Sequence, residues 1–224
     1  MSGQTSYFAD REEAGRLLAD AIEPLQLADP VILALPRGGV PVGYEIATRL
    51  NAPLDILLVR KIGAPGHEEY GIGAVVDGIS PHIVIDEEAA RMVGADRAYI
   101  QRALTRELAE IERRRTAYRT GPPERLEGRS VIVVDDGIAT GGTVRAALKA
   151  LGDVGARDVV LAVPVAPLSV LQGLTQLCSR VVYLATPDPF YAVGAHYADF
   201  DQVEDAEVIE LLAAAKRRLG EETR

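Results

Sequence analysis

Two adjacent aspartates, Asp135 and Asp136, follow the apolar run Val131–Val134 and precede small and hydroxylated residues, Gly137-Ile-Ala-Thr-Gly-Gly-Thr143. Side chains of these types in this order can hold a phosphate beside a diol. Gly137, Gly141 and Gly142 let backbone N–H groups approach an anion, and a helix beginning at Gly142 adds partial positive charge at its N-terminus. Thr140 and Thr143 supply hydroxyl donors. A carboxylate can accept hydrogen bonds from both members of a diol, which suits the twin acids to vicinal hydroxyls. The spacing from Gly137 to Thr143 imitates a P-loop, but Gly142 stands where that motif requires Lys before its last Ser or Thr. The dinucleotide pattern G-x-G-x-x-G is missing as well. An ordinary strand–turn–helix corner is the bland alternative, and it would leave two neighbouring carboxylates repelling each other without partners.

Three other segments carry reactive side chains. Ala34-Leu-Pro-Arg-Gly-Gly-Val40 places Arg37 beside two glycines; by itself it reads equally well as a plain turn between strand and helix. Val59-Arg-Lys-Ile-Gly-Ala-Pro-Gly-His-Glu-Glu-Tyr-Gly71 holds Arg60, Lys61, His67 and Glu69, and its Gly and Pro content suits a mobile surface loop. Thr186–Asp201 is aromatic and contains Pro and Gly. There Phe190 and Tyr191 could stack on a ring or pack a core, and His196 could face a ligand or sit in solvent. The three histidines show no metal-ligand spacing, so no zinc site is expected.

The elements that must position these residues alternate between strand and helix, which predicts an α/β fold with a mainly parallel sheet covered on both faces. Asp10 is the expected N-cap of a helix to about Leu25. Strands are expected at Val31–Leu35 and Leu54–Val59 with a helix over Pro41–Leu50 between them, then a strand pair at Gly73–Ile79 and His82–Ile85. An amphipathic segment, Asp86–Tyr118, breaks near Gly94, and Gly121-Pro122-Pro123 ends it. Val131–Val134 reads as a central strand buried on both faces, followed by a helix over Gly142–Leu151. A strand at Val159–Val163, a helix over Pro167–Leu177, a strand at Val181–Leu184 and a helix over Asp205–Leu219 complete the series.

Four apolar residues, Asp-Asp and then Ala-Thr-Gly-Gly-Thr resemble the phosphoribosyl pyrophosphate (PRPP) motif of the type I phosphoribosyltransferases, in particular the bacterial members of unassigned substrate. The resemblance implies a Rossmann-like parallel sheet with a small hood, in one domain over 1–224 whose hood draws on 1–30 and 186–224. It implies that Asp135 and Asp136 meet the ribose hydroxyls and that Ala139, Thr140, Gly141, Gly142 and Thr143 surround the 5′-phosphate. Gly137 departs from the family, which usually carries an apolar residue there. Arg37 with the amides of Gly38 and Gly39 would meet pyrophosphate, in a loop that often holds a non-prolyl cis peptide, here Pro36–Arg37. Val59–Gly71 resembles the flexible loop of the adenine-using branch, so Arg60 or Lys61 would neutralise pyrophosphate and Glu69 would donate or accept a proton. Arg37, Lys61 and Glu69 are thus the candidate catalytic residues.

On the acceptor side the resemblance is divided. Thr186–Gly194 is similar to the base-binding stretch of 6-oxopurine enzymes, which would make Phe190 or Tyr191 the stacking residue and Asp199 a metal-binding acid. Ala139, however, occupies the place of those enzymes' base-handling Asp, as the adenine and uracil branches allow. The expected reaction moves a phosphoribosyl group from PRPP to a nitrogen acceptor, a purine-like nucleobase, and releases pyrophosphate, with Mg²⁺ as cofactor. A non-catalytic PRPP sensor is the alternative. PRPP and a small nitrogenous acceptor are the expected partners, and a homodimer is the candidate assembly.

Composition sets the outer bounds. The chain has 224 residues, is 48% hydrophobic and carries a net charge of −9, which disfavours a nucleic-acid surface. In the basic run Arg113-Arg114-Arg115, Glu110 stands at i,i+3 and i,i+4 from two of the arginines, as on a solvated helix face. Apolar runs are too short to span a bilayer. Cys178 is the only cysteine, and Met-Ser-Gly-Gln-Thr-Ser lacks the order of a secretory leader, so the cytoplasm is the expected compartment.

Overall fold

The computed structural model describes residues 7–77, 81–118, 122–152 and 154–222, excepting the side chains of Glu68, Glu69, Glu221 and Glu222. Asp10 accepts a hydrogen bond from the Glu13 amide (2.7 Å) and caps α1, Arg11–Ile22. β1 (Pro30–Ala34), α2 (Gly39–Arg49) and β2 (Leu54–Ile56) follow. The chain then leaves for a hairpin of β3 (Val59–Ala64) and β4 (His67–Val76), to which β5 (His82–Ile85) adds an antiparallel strand. α3 (Glu87–Met92) and α4 (Arg97–Tyr118) precede the return to the main sheet at β6 (Ser130–Val134). α5 (Gly142–Leu151), β7 (Asp158–Val165), α6 (Leu168–Gln172), β8 (Arg180–Ala185) and α7 (Asp205–Glu222) complete the fold.

The main sheet has the order β2-β1-β6-β7-β8, and every pair in it is parallel. Strand residues alternate between its faces, as the pleat requires. Ile32, Ile132, Val134, Val160 and Ala162 pack against Leu18, Ile22, Val42 and Ile46 of α1 and α2. Val31, Leu33, Val131, Val133, Leu161 and Val163 pack against Val144, Ala147 and Leu148 of α5. Each buried Val, Leu or Ile is worth about 1.5–3 kcal/mol of transfer free energy. Ser130–Val134 is buried at every position, the state expected of a strand between two helical layers. Among the described residues no helix is long and apolar enough to cross a membrane.

Three expectations need correction. Leu54–Val59 is two short strands, because the chain changes sheets at Leu57-Leu58; a continuous apolar run looks the same whichever sheet it enters. Val59–Gly71 is a hairpin, with Pro65-Gly66 linking Ala64 to His67 and Gly66 at φ 72. Pro followed by a Gly of positive φ is the signature of a tight turn. In addition, the expected helix Pro167–Leu177 ends at Gln172 and continues as a single 3₁₀ turn over Thr175–Leu177.

Candidate active site

The strand order reverses between β1 and β6: from β1 the chain steps to β2 on one side, while β6, β7 and β8 extend the other way. Open α/β sheets bind ligands outside the carboxyl ends of their strands at such a switch point. Ala34 pairs with Val134, and the Leu35 amide donates to the Val134 carbonyl (2.8 Å), so the loops that follow the two strands leave the sheet side by side. A Cβ on Gly38 would lie 1.9 Å from Asp136 Oδ2, and one on Gly39 would lie 2.6 Å from the Val134 carbonyl oxygen. Only glycine allows this approach. The structure thereby brings Arg37–Gly39 against Asp135–Asp136, although about 100 residues separate them. The Pro36–Arg37 peptide is cis, as the resemblance implies.

Beyond the acids, Gly141 takes φ 77 and starts α5, with Ala139, Thr140 and Gly142 exposed. Lys61 reaches this turn from β3: its Cε and Nζ lie 3.4 and 3.7 Å from the Cβ position of Gly142. Its neighbour Arg60 points elsewhere, since successive strand residues face opposite sides. Arg60 Nε donates to Glu107 Oε2 (2.9 Å), and Glu107 is buried in α4. Pro36, Arg60, Arg114 and Thr143 nevertheless line one small cavity of about 20 Å³, where the three sequence motifs meet. Two larger cavities, of about 360 and 320 Å³, lie at the amino ends of β7 and β8 and between β2 and α7. Neither is lined by the twin acids.

Electrostatics at the corner are unusual. Burial, and after it repulsion from Asp136, pushes the Asp135 carboxyl well above the ordinary carboxylate range. Burial also raises Asp136, and the hydrogen bond from Arg11 opposes that rise. Arg11 Nε meets Asp136 Oδ2 at 2.8 Å, and the Tyr197 hydroxyl donates to the Asp136 carbonyl at 2.5 Å. Arg37 Nη1 lies 3.5 Å from Asp205 and 3.7 Å from Glu204 at the start of α7. Asp205 also accepts from the Tyr118 hydroxyl (2.5 Å), and burial with that bond pushes the Tyr118 phenol up to about 12. The arginine expected to meet pyrophosphate is therefore paired with two acids.

The acceptor-side residues divide. Phe190 packs against the His196 ring (centroids 5.1 Å), in a cluster with Tyr7, Phe8, Tyr197 and Phe200, whereas Tyr191 is 73% exposed. His196 is only 3% exposed, and burial lowers its pKa, so solvent is not its setting. Asp199 is exposed and accepts from the Asp201 amide (3.1 Å). Among the described residues no group of three or more His, Cys, Asp or Glu is arranged to hold a metal ion. The Glu69 side chain lies outside the described residues.

Sequence reasoning missed Arg11, Tyr197 and Val193. A Cβ on Gly137 would lie 2.4 Å from Val193 Cγ1, so Val193 fills the space that the expected apolar residue would take. A basic residue directly after an Asp cap was the available signal for Arg11, because a helix start disfavours cations unless an acid is close by.

Residues 4–181 match the model of the phosphoribosyl transferase domain. The chain is 42% identical over 216 residues to the Mycobacterium tuberculosis (strain ATCC 25618 / H37Rv) protein called "Putative phosphoribosyl transferase Rv0571c", covering 96% of this chain and 48% of that one. It thus spans about half the length of that curated relative. To the adenine phosphoribosyltransferase of Mycobacterium marinum (strain ATCC BAA-535 / M) it is 30% identical over 171 residues, 75% of this chain and 71% of that one. The crystal structure of TT1426 from Thermus thermophilus is similar throughout, with TM-score 0.79, 44% identity and coverage of 92% and 98% of the two chains. A domain match over most of the length, on a sheet whose switch point carries the acids and the glycine turn, assigns this chain to the phosphoribosyl transferase domain family.

Proposed function

We propose that this protein transfers the 5-phosphoribosyl group of PRPP to a ring nitrogen of a small, purine-like acceptor and releases pyrophosphate. The observation that carries the reading is the contact between two loops at the switch point, where Gly38 lies against Asp136. A ligand with pyrophosphate on one side of a ribose and phosphate on the other would bridge such loops. Asp135 and Asp136 would accept from the ribose hydroxyls, and the amides and hydroxyls of Ala139–Thr143 would surround the 5′-phosphate. Arg37, the amides of Gly38 and Gly39 and Lys61 would face pyrophosphate, and Arg60 would join them only on leaving Glu107. Arg37 must then exchange Asp205 and Glu204 for the ligand.

In the reaction the acceptor nitrogen bonds to the anomeric carbon, and the carbon–oxygen bond to pyrophosphate breaks. Cationic side chains disperse the charge that develops on the leaving oxygen. Glu69 is the candidate to take the proton that the acceptor nitrogen loses. Phe190 and Tyr191 are the candidate acceptor contacts, Tyr191 being the one exposed enough to stack without repacking. Asp199 is the candidate acid to hold Mg²⁺, which would supply positive charge to offset the phosphates. We further propose a single domain over 1–224 with a hood from 1–30 and 186–224, a cytoplasmic location and a homodimer.

The test is to incubate the protein with Mg²⁺, PRPP and each nucleobase in turn and follow pyrophosphate release. Release with one base supports transfer and names the acceptor. A second reading, a PRPP sensor without turnover, is favoured by the internal pairing of Arg37 and Arg60. It predicts tight PRPP binding with no release under any base.

A further inference from the structure

Asp136 is gripped at two points by residues remote in sequence. Arg11 Nε donates to its Oδ2 across 125 positions, and the Tyr197 hydroxyl donates to its carbonyl across 61. Arg11 is itself fixed on three sides. The cap on Asp10 sets the start of α1, Arg11 Nη1 donates to the Asp201 carbonyl (2.8 Å), and the guanidinium lies 3.8 Å over the Phe200 ring. Phe200 is wedged in turn, packed against Tyr197 with the ring planes tilted by 31° (centroids 4.9 Å) and lying where a Cβ on Gly194 would meet it at 2.6 Å.

A cation in the first turn of a helix opposes the macrodipole by about 0.3–1 kcal/mol. Here the residue turns inward, and a carboxylate beside it reverses that balance. The Arg11 and Asp136 side chains are 12% and 15% exposed, so the pair is poorly screened. Gly38 lies against the same carboxylate, since a Cβ there would overlap Oδ2 and Cγ of Asp136.

We propose that Arg11 is a positioning residue of the sugar site: by taking Oδ2 of Asp136 it fixes the carboxylate so that Oδ1 is presented to a ribose hydroxyl, which makes α1 part of the PRPP site. The proposal rests on the reading of Asp136 as a hydroxyl acceptor. It explains why two segments far apart in the chain, α1 and the stretch 197–201, converge on one acid. Arg11 acts through Asp136 and touches no reacting atom.

The experiment measures PRPP affinity by calorimetry with Mg²⁺, well below the unfolding temperature, for the wild type, R11Q, R11K, D136N and R11Q/D136N. R11Q should weaken binding roughly tenfold or more, and R11K, which keeps the charge but not the planar fork over Phe200, should lose about three- to tenfold. In the D136N background R11Q should change affinity by less than about twofold, because the residue it acts through is already altered. Wild-type affinity in R11Q overturns the proposal, as does a loss that persists undiminished beside D136N. A lowered unfolding temperature with affinity intact assigns Arg11 to folding alone and overturns it too. If D136N binds too weakly to read, or R11Q does not fold, R11K decides: affinity equal to the wild type there, with the planar fork gone, refutes the role. A wild type that fails to bind PRPP sinks the functional reading itself, an outcome distinct from a failure confined to Arg11.

Discussion

Gly38→Ala adds one methyl group at the tightest point of the site. Gly38 has φ −59 and ψ −31, a conformation alanine adopts freely, so the effect is steric and not torsional. In the unfolded chain the substitution would by itself favour folding by about 0.4–1 kcal/mol. Against this, the new Cβ would lie 1.9 Å from Asp136 Oδ2 and must reach at least 3.0 Å. The same Oδ2 is bonded to Arg11 at 2.8 Å, so displacing the carboxylate disturbs that buried pair. Overpacking of this kind costs about 1–3 kcal/mol, and loss of a buried pairing adds to it, so the steric term wins. A net cost of about 2 kcal/mol corresponds to a fall of roughly 4–8 °C in unfolding temperature for a chain of this size. Gly71→Ala is the matched control, since no heavy atom lies within 4 Å of its Cβ position; it should stay within about 0.5 kcal/mol of the wild type. Thermal unfolding followed by circular dichroism, paired with PRPP calorimetry, reads both consequences. A Gly38→Ala protein as stable as the Gly71→Ala control, with unchanged PRPP affinity, would refute the close approach of the two loops.

Other perturbations reach separate parts of the account. Gly137→Ala should destabilise by about 1–3 kcal/mol through its clash with Val193, and Val193→Ala in the same chain should recover much of that loss; additive effects in denaturant melts would show that the two do not interlock. Asp135 has a raised folded-state pKa, so its stabilising contribution is complete below the ordinary carboxylate pKa and is lost as pH rises towards the folded value. Asp135→Asn should therefore gain stability over the wild type as pH climbs from about 4 to 7, and a difference that shrinks over that range would contradict the assignment. Glu110 behaves oppositely: hydrogen bonds from Arg113 and Arg114 hold it at about 2, so its contribution is present at neutral pH and lost as pH falls through that value. Because the site is largely solvated, Glu110→Gln should cost less than about 1 kcal/mol, and the cost should fade in high salt.

Local pattern made part of this architecture readable in advance. The buried run Val131–Val134, the acids after it and the helix from Gly142 to Leu151 all follow from short-range chemistry. The ion pairs of Glu110 with Arg113 and Arg114 follow from helical spacing alone. Long-range pairing was not legible. Nothing near Arg11 in sequence announces Asp136, and Glu107 looks like any exposed helix acid until it is found buried between Arg60 and Arg106. His196 suits a solvated loop by composition, yet the aromatic cluster encloses it. The Gly and Pro content of Val59–Gly71 suits a loop, although Pro65-Gly66 is equally the turn of a hairpin.

In the proposed function the glycine turn and the twin acids hold a phosphorylated ribose. The most direct measurement of this is the affinity for PRPP, with Mg²⁺, of the wild type and of the chain carrying Asp135→Asn and Asp136→Asn together. Replacing both hydroxyl acceptors should weaken binding by at least about a hundredfold, since each charged hydrogen bond contributes roughly 1.5–3 kcal/mol. Equal affinities in the two proteins would contradict the account.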